Sequence, residues 1–345
     1  MDRVSGCYPE SRGFDPHPVR PYRNTSSRQS LFGWAKVYTN LDRSSIDNMS
    51  AQAYITLMNK LSTAKRIQVI TALTEGNSIA STARMTGAAK MTVLKMLADV
   101  GKACANLQDK WMMDLPCKRI EVDEIWSFCG MKAKNVPFDQ RGTFGVGDVW
   151  TFVAFDAETK LIPCWKVGQR NSATTEAFIF DLALRLRDRV QLTSDGFALY
   201  RDAVEMAFHA EGVDYAMLVK NYNEATKEDR RRYSPARFVS ATKTPIFGEP
   251  EEKLISTSYV ERQNLNIRMS NRRMTRLTNA FSKKVENHCH QLAINFAHHN
   301  FARIHRTLRC TPAMAAGITS SPWTIADLVK VADEFEIMSN WQLAS

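Results

Sequence analysis

Three acidic side chains occur at points of the sequence where carboxylates could share a metal ion. Asp123 lies near the end of one strand-like run, within Val-Asp-Glu-Ile-Trp, and Asp195 ends another, within Thr-Ser-Asp-Gly. Glu261 lies far downstream in a helical segment, within Tyr-Val-Glu-Arg-Gln. Two carboxylates at adjacent strand ends would repel each other unless a cation neutralised them, and oxygen ligands suit hard cations such as Mg²⁺. The three residues therefore predict a divalent-metal site.

Other roles for the acids in these segments remain open. Glu121 and Glu124 are rivals of Asp123 as a metal ligand, although strand alternation should turn Glu124 away from Asp123. Glu261 could instead be the capping-box partner of Ser258, which precedes it by three residues at a helix start. Each acid taken alone is usually a solvated surface group, so it is the constellation that favours a metal site.

The elements that must position these acids follow one another from residue 118 onward. Apolar patterning predicts strands over 118–130, 148–155 and 161–167, and a helix over 174–189. A strand over 191–195, a helix over 200–210 and a strand over 215–219 complete the set. This order resembles that of the ribonuclease H-like fold, so we expect an α/β domain with a mixed five-stranded sheet and flanking helices. In that fold the first and fourth strands are neighbours, which would bring Asp123 and Asp195 together.

Three helices are predicted upstream of the strands, between residues 50 and 113. The helix over 63–73 carries a one-faced apolar stripe, and a short helix over 78–85 leads through a turn into a third helix. This spacing is typical of a helix-turn-helix, whose second helix enters the major groove of DNA. A three-helix bundle with ordinary surface lysines is the alternative. The candidate DNA contacts on the exposed side of the third helix are Lys90, Thr92 and Lys95.

Composition limits the kind of partner and the compartment. The chain of 345 residues has 46 Lys and Arg against 36 Asp and Glu, a formal charge of +10, which indicates a polyanionic partner such as nucleic acid. No run of about eighteen apolar residues exists to span a bilayer. The seven scattered cysteines form no CxxC pair, which argues against a disulfide framework and a zinc ribbon. We therefore expect a cytoplasmic, nucleoid-associated protein without a membrane partner.

The chain divides into four predicted segments. Residues 1–48 are Pro-rich and aperiodic, so we expect a disordered or over-extended N-terminus, with regular patterning from Met49 onward. Residues 49–113 are the predicted helix-turn-helix DNA-binding domain, and residues 115–317 the predicted catalytic domain. Residues 318–345 are predicted to be a C-terminal helix and tail.

A basic stretch directly follows Glu261. Seven Lys and Arg residues and no acid occur between residues 262 and 284. Such a stretch beside catalytic carboxylates is suited to hold a phosphodiester backbone, while a solvated helix face is the alternative. The candidate DNA contacts in it are Arg262, Arg268, Arg272, Arg273 and Arg276.

Histidines and aromatic residues suggest weaker alternatives. Five of the seven histidines fall between residues 288 and 305. His288 and His290 should lie on different faces of a helix, so packing or phosphate contact is expected rather than a metal site. Trp126, close to Asp123, is expected in the core, and contact with a flipped or stacked base is the alternative.

With its acids in these contexts, the chain resembles DDE transposases of bacterial insertion sequences, specifically those of the insertion-sequence-one type. The resemblance covers about residues 60–335 and is most specific over 256–317. It implies that Asp123, Asp195 and Glu261 are the catalytic, metal-binding triad, with Arg268 as a basic residue seven positions after the glutamate. It also implies two Mg²⁺ (or Mn²⁺) ions, one activating water or a DNA 3′-hydroxyl and the other stabilising the leaving oxygen.

The resemblance predicts a DNA transposase, a metal-dependent endonuclease and strand transferase that binds the ends of its insertion sequence. Its partners would be double-stranded DNA, as terminal inverted repeats and as target, and a second copy in a homodimer or larger synaptic complex. Many members of this type are associated with an N-terminal Cys-rich zinc module, and this sequence departs from that pattern because it has no CxxC. A catalytically inactive or domesticated DNA-binding derivative is one alternative, and a ribonuclease H or junction resolvase on the same fold is another.

Overall fold

A six-stranded sheet organises the part of the chain that carries the acids. The structure is a computed structural model that describes residues 60–209, 212–222 and 238–344. Its strands are β1 Arg119–Cys129, β2 Gly147–Asp156, β3 Trp165–Gly168, β4 Val190–Ser194, β5 Val213–Tyr222 and β6 Phe238–Phe247. Their order across the sheet is β3-β2-β1-β4-β5-β6. β4 runs parallel to both β1 and β5, whereas β1–β2, β2–β3 and β5–β6 are antiparallel pairs.

Helices precede the sheet, cover it and follow it. They are α1 Thr63–Thr74, α2 Ile79–Thr86, α3 Lys90–Trp111, α4 Ser172–Arg185, α5 Leu199–Phe208, α6 Ser258–Ser270, α7 Val285–Ala297, α8 Pro312–Ala315 and α9 Ile325–Ala344. The ring of Phe152 in β2 lies 5.6 Å from that of Phe178 in α4 and 6.5 Å from that of Tyr200 in α5. These contacts place α4 and α5 together on one face of the sheet.

The strand order confirms a mixed sheet with its first and fourth strands adjacent, but the predicted number of five strands was wrong. β6 pairs with β5 as a sixth strand at the edge. Its first eight residues are exposed, and its sequence, with Thr242, Lys243 and Pro245 in the middle, lacks the apolar alternation of a half-buried strand. Proline is tolerated at a sheet edge because its missing N–H need not pair there.

The helices upstream of the sheet begin and end close to where the spacing predicts. Ser78 caps α2, since its hydroxyl accepts a 3.0 Å hydrogen bond from the Ser81 N–H. Gly87 ends α2 in a left-handed conformation with a φ of 70°, which glycine adopts without steric cost. α3 begins at Lys90 and continues for 22 residues. This succession of helix, turn and helix is the arrangement on which the DNA-binding prediction depends.

The long helix α3 joins the upstream helices to the rest of the chain. A Cβ atom placed on Gly101 would lie only 2.4 Å from the Cβ atom of His290 in α7, so the two helices approach very closely. Gln108 Nε2 donates a 3.0 Å hydrogen bond to the Ala293 carbonyl of α7. The described residues from Thr63 onward belong to one compact unit.

Two predictions about the organisation of the chain stay predictions. The predicted disordered or over-extended segment, residues 1–48, lies outside the described residues. The division into a helix-turn-helix domain and a catalytic domain is likewise untested. Among the described helices, none is both long enough and apolar enough to span a lipid bilayer.

Candidate active site

Parallel pairing of β1 with β4 brings Asp123 and Asp195 to one edge of the sheet. Glu121 of β1 lies opposite Thr193 of β4, at the last of their paired positions. Asp123 and Asp195 each follow two residues later, past the last paired position of the two strands, where a crevice opens. Asp195 directly follows β4, but Asp123 lies within β1, which continues to Cys129, so the expectation that the first strand ends near Asp123 was wrong. Both aspartates are half-buried there. The strand order therefore creates the adjacency that the sequence predicts.

Asp123 is held through both of its carboxylate oxygens. Its Oδ1 accepts a 2.9 Å hydrogen bond from the Glu124 N–H, and its Oδ2 accepts a 2.8 Å hydrogen bond from the side-chain amide of Asn264. The pKa of Asp123 is raised to about 7, first by burial and then by the like charges of neighbouring acids. A bound cation would oppose both effects, so the local electrostatics favour positive charge beside this carboxylate.

Glu121 fixes the helix that carries Glu261. Its side chain is fully buried, and its Oε2 accepts hydrogen bonds from the N–H groups of Tyr259 at 2.8 Å and Val260 at 2.9 Å. N–H groups in the first turn have no partner within the helix, so this carboxylate satisfies two of them and attaches α6 to β1. Burial raises the pKa of Glu121 to about 7. The sequence left Glu121 open as a metal ligand, and the structure gives it this positioning role.

Glu261 lies in the first turn of α6 and faces the same cleft as the two aspartates. The cleft has a volume of about 490 Å³, and Asp123, Asp195 and Glu261 all line it. The Oε1 atom of Glu261 accepts a 2.7 Å hydrogen bond from the Thr257 hydroxyl. The same oxygen forms an ion pair with the Lys220 ammonium. The structure thus brings together three acids that are remote in sequence.

The alternative role of Glu261, a capping box with Ser258, is not observed. α6 begins at Ser258, and its N-cap residue is Thr257. The Thr257 hydroxyl donates to the Glu261 side chain and makes no hydrogen bond to the helix backbone. Glu261 therefore lines the cleft and accepts a hydrogen bond from the N-cap side chain, but it forms no capping box with Ser258.

Glu124 also lies beside the two aspartates, and its expected orientation away from Asp123 was wrong. The carboxylates of Asp123, Glu124 and Asp195 offer oxygen atoms that all lie within 4.8 Å of one another. β1 and β4 are no longer paired at this level, so a long side chain can reach round the free edge of β1. Arg170 donates a 3.1 Å hydrogen bond to Oε2 of Glu124. Burial raises the pKa of Glu124.

The oxygen atoms of this cleft fit a hard divalent cation. Oε1 of Glu124 and Oδ1 of Asn264 are buried without a hydrogen-bond partner. The buried Tyr200 hydroxyl is close enough to lower the pKa of Glu124, yet it donates no hydrogen bond of acceptable geometry. Unpartnered buried oxygens beside like charges are costly unless a cation binds them. Carboxylate and amide oxygens are ligands of Mg²⁺ and Mn²⁺, so these residues could hold either ion.

A second cleft adjoins the first and carries the basic residues. It has a volume of about 830 Å³, and its lining shares Asp123 and Glu261 with the first cleft. Arg272 and Arg276 line it and are exposed. Arg268 also lines it, but the guanidinium donates 3.1 Å hydrogen bonds to the carbonyls of Trp126 and Met274. Burial lowers the pKa of Arg268.

The other arginines predicted to contact phosphates differ in exposure. Arg262 is exposed on α6. Arg273 is only partly accessible, and its guanidinium donates a 3.4 Å hydrogen bond to the Ser282 hydroxyl. Burial lowers the pKa of Arg273 to about 10. Of the five predicted arginines, the exposed ones, which a DNA backbone could contact, are Arg262, Arg272 and Arg276.

The predicted DNA contacts of the upstream helices lie at the N-terminal end of α3. Lys90 and Lys95 are exposed, and Thr92 is half-buried. Met91 between them is 74% exposed. This end of α3 therefore presents two cations and an apolar side chain on the surface, and their contact with DNA stays a prediction.

His288 packs in the interior, whereas Trp126, expected in the core, is only half-buried. His288 is fully buried, with one ring nitrogen 3.4 Å from the Ser127 hydroxyl and the other 3.1 Å from the Ser282 hydroxyl. Trp126 is half-buried, and its ring lies 5.8 Å from that of Phe128. The expected packing role of His288 is the one that the structure supports.

Three comparisons with known proteins bear on the fold. No protein-family model matches the chain, and no curated protein sequence matches it. Among solved structures, the chain is similar to a piggyBac transposase in a synaptic complex with hairpin DNA. The TM-score is 0.35 and the identity 10%, over 81% of this chain and 74% of that chain.

Two structures of the Mos1 transposase are also similar to the chain. A paired-end complex with the left transposon end has a TM-score of 0.20 and 10% identity, over 57% of this chain and 68% of that chain. A strand transfer complex has a TM-score of 0.21 and 10% identity, over 68% of this chain and 76% of that chain. Likenesses at these TM-scores carry no argument about function, which depends instead on the strand order and the cleft.

Proposed function

We propose that the protein is a DDE-type DNA transposase, which cuts and joins DNA strands in a metal-dependent reaction. The observation that carries the proposal is a single cleft in which Asp123 and Asp195, from adjacent parallel strands, lie with Glu261 from α6. Carboxylates that converge from three remote segments at the carboxyl ends of strands are suited to hold divalent ions. The finer assignment, to a bacterial insertion sequence of the insertion-sequence-one type, depends on the sequence resemblance alone.

Each residue of the cleft has a role in this proposal. Asp123 and Asp195 would hold a divalent cation together, with Glu124 and Glu261 as further oxygen ligands. Two bound Mg²⁺ or Mn²⁺ ions would supply an activated water or DNA 3′-hydroxyl and a stabilised leaving oxygen. Asn264 orients Asp123 through its 2.8 Å hydrogen bond. This contact fixes Asp123 before DNA arrives, as electrostatic catalysis requires.

The DNA would contact two further parts of the chain. Arg272 and Arg276 lie beside the carboxylates in the second cleft, where they would hold phosphates close to the cleavage point. Lys90, Thr92 and Lys95 at the start of α3 would read the terminal inverted repeats. Because two DNA ends must be joined, we propose a homodimer or larger synaptic complex. Such a substrate would place the protein at the nucleoid in the cytoplasm.

Replacement of Asp195 tests the catalytic role. Asp195→Asn keeps the side-chain shape but removes the charge, so Mg²⁺-dependent nicking of DNA carrying the element's ends should fall by about 10³-fold or more, the scale at which catalytic groups act. Binding to the same DNA should remain. Asp188→Asn is the control, because Asp188 is exposed and pairs only with its neighbour Arg187 in the described part. Undiminished nicking by Asp195→Asn would contradict the proposal.

Two rival functions are outcomes of the same assay. A wild-type protein that binds the ends but nicks no DNA with Mg²⁺ or Mn²⁺ would be a catalytically inactive or domesticated derivative. A protein that cleaves an RNA–DNA hybrid in preference to duplex DNA would be a ribonuclease H. The exposed start of α3 favours the transposase, because a ribonuclease H has little need to read sequence.

A further inference from the structure

Two carboxylates near Asp123 and Asp195 are paired with cations from other parts of the chain. Arg170 pairs with Glu124 at 3.1 Å, and Lys220 of β5 pairs with Glu261. In the part of the chain that the structure describes, no lysine or arginine forms an ion pair with Asp123 or Asp195. A metal ion that enters the cleft therefore finds no Lys or Arg paired with Asp123 or Asp195 among the described residues. At Glu261 it finds the ammonium of Lys220 already in place.

The two resident cations are held differently. The Arg170 guanidinium lies 3.9 Å from the centre of the Phe197 ring and 5.1 Å from that of Trp150, so two rings and one carboxylate fix it. The Lys220 ammonium has Glu261 as its partner among the described residues, and it ends a flexible stem. Lys220 can therefore leave its partner at lower cost than Arg170 can.

Lys220 also lies where a substrate phosphate would bind. β5 is parallel to β4, with Ser194 opposite Met217 at their last paired position. Lys220 follows three residues later, so β1, β4 and β5 present Asp123, Asp195 and Lys220 at one edge of the sheet. All three line the same cleft. A phosphate drawn to a cation on the aspartates would therefore come close to the lysine.

We infer that Lys220 is a positioning residue that holds Glu261 away from Asp123 and Asp195 until a DNA phosphate takes the lysine. The inference deepens the proposed function and rests on it. The carboxylates close enough to share one ion are Asp123, Glu124 and Asp195, and Glu261 does not belong to this group. Asp123 and Asp195 would accordingly bind a first divalent cation without DNA. A second cation, with Glu261 as a ligand, would bind only when a DNA phosphate pairs with Lys220.

Mn²⁺ titration followed by electron paramagnetic resonance tests the inference without measuring activity. Without DNA, the wild-type chain should bind one Mn²⁺, and added duplex DNA should increase the stoichiometry to two. Lys220→Met removes the cation and leaves Glu261 with only the hydrogen bond from the neutral Thr257 hydroxyl, so a second Mn²⁺ should bind without DNA, with an affinity at least about tenfold higher than in the wild type. Lys220→Arg keeps the ion pair and should behave like the wild type.

The control and the contrary results are distinct. Lys253→Met removes a lysine that is also paired with a glutamate, Glu251, but lies on the surface, and it should leave Mn²⁺ binding unchanged. If the wild type binds Mn²⁺ and Lys220→Met binds it with the same stoichiometry and affinity, the inference is overturned and the proposed metal site stands. If no variant binds Mn²⁺ at the cleft, the proposed function fails and the inference fails with it. Circular dichroism of each variant verifies folding.

Discussion

The side-chain amide of Asn264 donates a 2.8 Å hydrogen bond to Oδ2 of Asp123. Asn264 lies three residues after Glu261, so both side chains project from one face of α6. One helix therefore supplies an acid to the cleft and also orients an acid of β1. Because Glu121 attaches the start of the same helix to β1, the geometry of the cleft depends on this junction between strand and helix.

Removal of the Asn264 amide should slow the reaction without unfolding the protein. Asn264→Ala leaves Asp123 free to rotate, and loss of a group that orients a metal ligand typically costs about 10–100-fold in activity or metal affinity. Mg²⁺-dependent nicking measures the effect. Asn266→Ala on the same helix is the matched control, because Asn266 bonds to Gln263 and not to a cleft acid. Equal nicking rates for the two variants would show that the amide does not position Asp123.

Removal of the Glu121 carboxylate should destabilise the protein as well as inactivate it. Glu121→Ala leaves two N–H groups of α6 without their acceptor in a buried place, at a cost of about 2–4 kcal/mol in the free energy of unfolding. Urea denaturation measures this cost. Glu121→Gln keeps an acceptor oxygen, so its free energy of unfolding should fall by less than half of the decrease expected for Glu121→Ala. If Glu121→Ala unfolds at the wild-type urea concentration, the carboxylate does not attach α6 to β1.

The acids of the cleft were predictable because strand ends and sequence order determine them. Asp123 and Asp195 follow from the ribonuclease H-like order of elements, and Glu261 follows from its place at a helix start. Glu124 was not predictable, since alternation fixes the direction of Cβ but not where a long side chain reaches beyond the end of a neighbouring strand. Asn264 could have been predicted to face the cleft, because it lies three residues after Glu261 and so on the same side of the helix.

Other features were hidden because they depend on tertiary context. β6 is a polar edge strand, so no apolar period marks it in the sequence. Lys220 lies near the end of a predicted strand, but only the parallel pairing of β5 with β4 places it in the cleft. Among the basic residues, Arg272 and Arg273 are neighbours of identical type, and only packing makes the first exposed and the second largely inaccessible.

The buried histidines should lower the stability of the protein as the pH falls from 7.5 to 5, whereas the raised pKa values of Asp123 and Glu121 act in the opposite direction over the same range. Burial lowers the pKa of His288 to about 3 and that of His299 to about 4, whereas a histidine in the unfolded chain titrates near about 6.5. Below pH 6.5 the unfolded state therefore takes up protons that the native state does not. At pH 5 this lowers the free energy of unfolding by about 2 kcal/mol for each histidine. Urea denaturation at both pH values measures the change.

The contribution of one histidine can be isolated by difference. Between pH 7.5 and 5, the change in the unfolding free energy of His288→Gln should favour the folded state by about 2 kcal/mol more than the wild-type change does, whatever the stability of the variant at pH 7.5. His209→Gln is the control, because His209 is exposed, and its change should equal that of the wild type. A His288→Gln variant with an unchanged pH dependence would mean that the native imidazole is protonated at pH 5.

The arginines of the second cleft should contribute to DNA affinity by neutralising phosphates. Arg272→Gln combined with Arg276→Gln should lower the slope of log affinity against log salt concentration by about 0.9 for each phosphate that is no longer neutralised. Fluorescence anisotropy with duplex DNA at several salt concentrations measures the slope. Lys330→Gln is the control, since Lys330 is exposed on α9 and pairs with Glu334. A slope equal to that of the wild type would exclude both arginines as phosphate ligands.

The central claim is that Asp123 and Asp195 bind one divalent ion in a cleft that Glu261 also lines. An anomalous difference map from crystals grown with Mn²⁺ tests it most directly. We predict a peak between the two aspartates, with about 2.0–2.3 Å to a carboxylate oxygen of each, and no such peak in the Asp195→Asn variant. A wild-type map without a peak at this position, or with Mn²⁺ bound only elsewhere, would contradict the account.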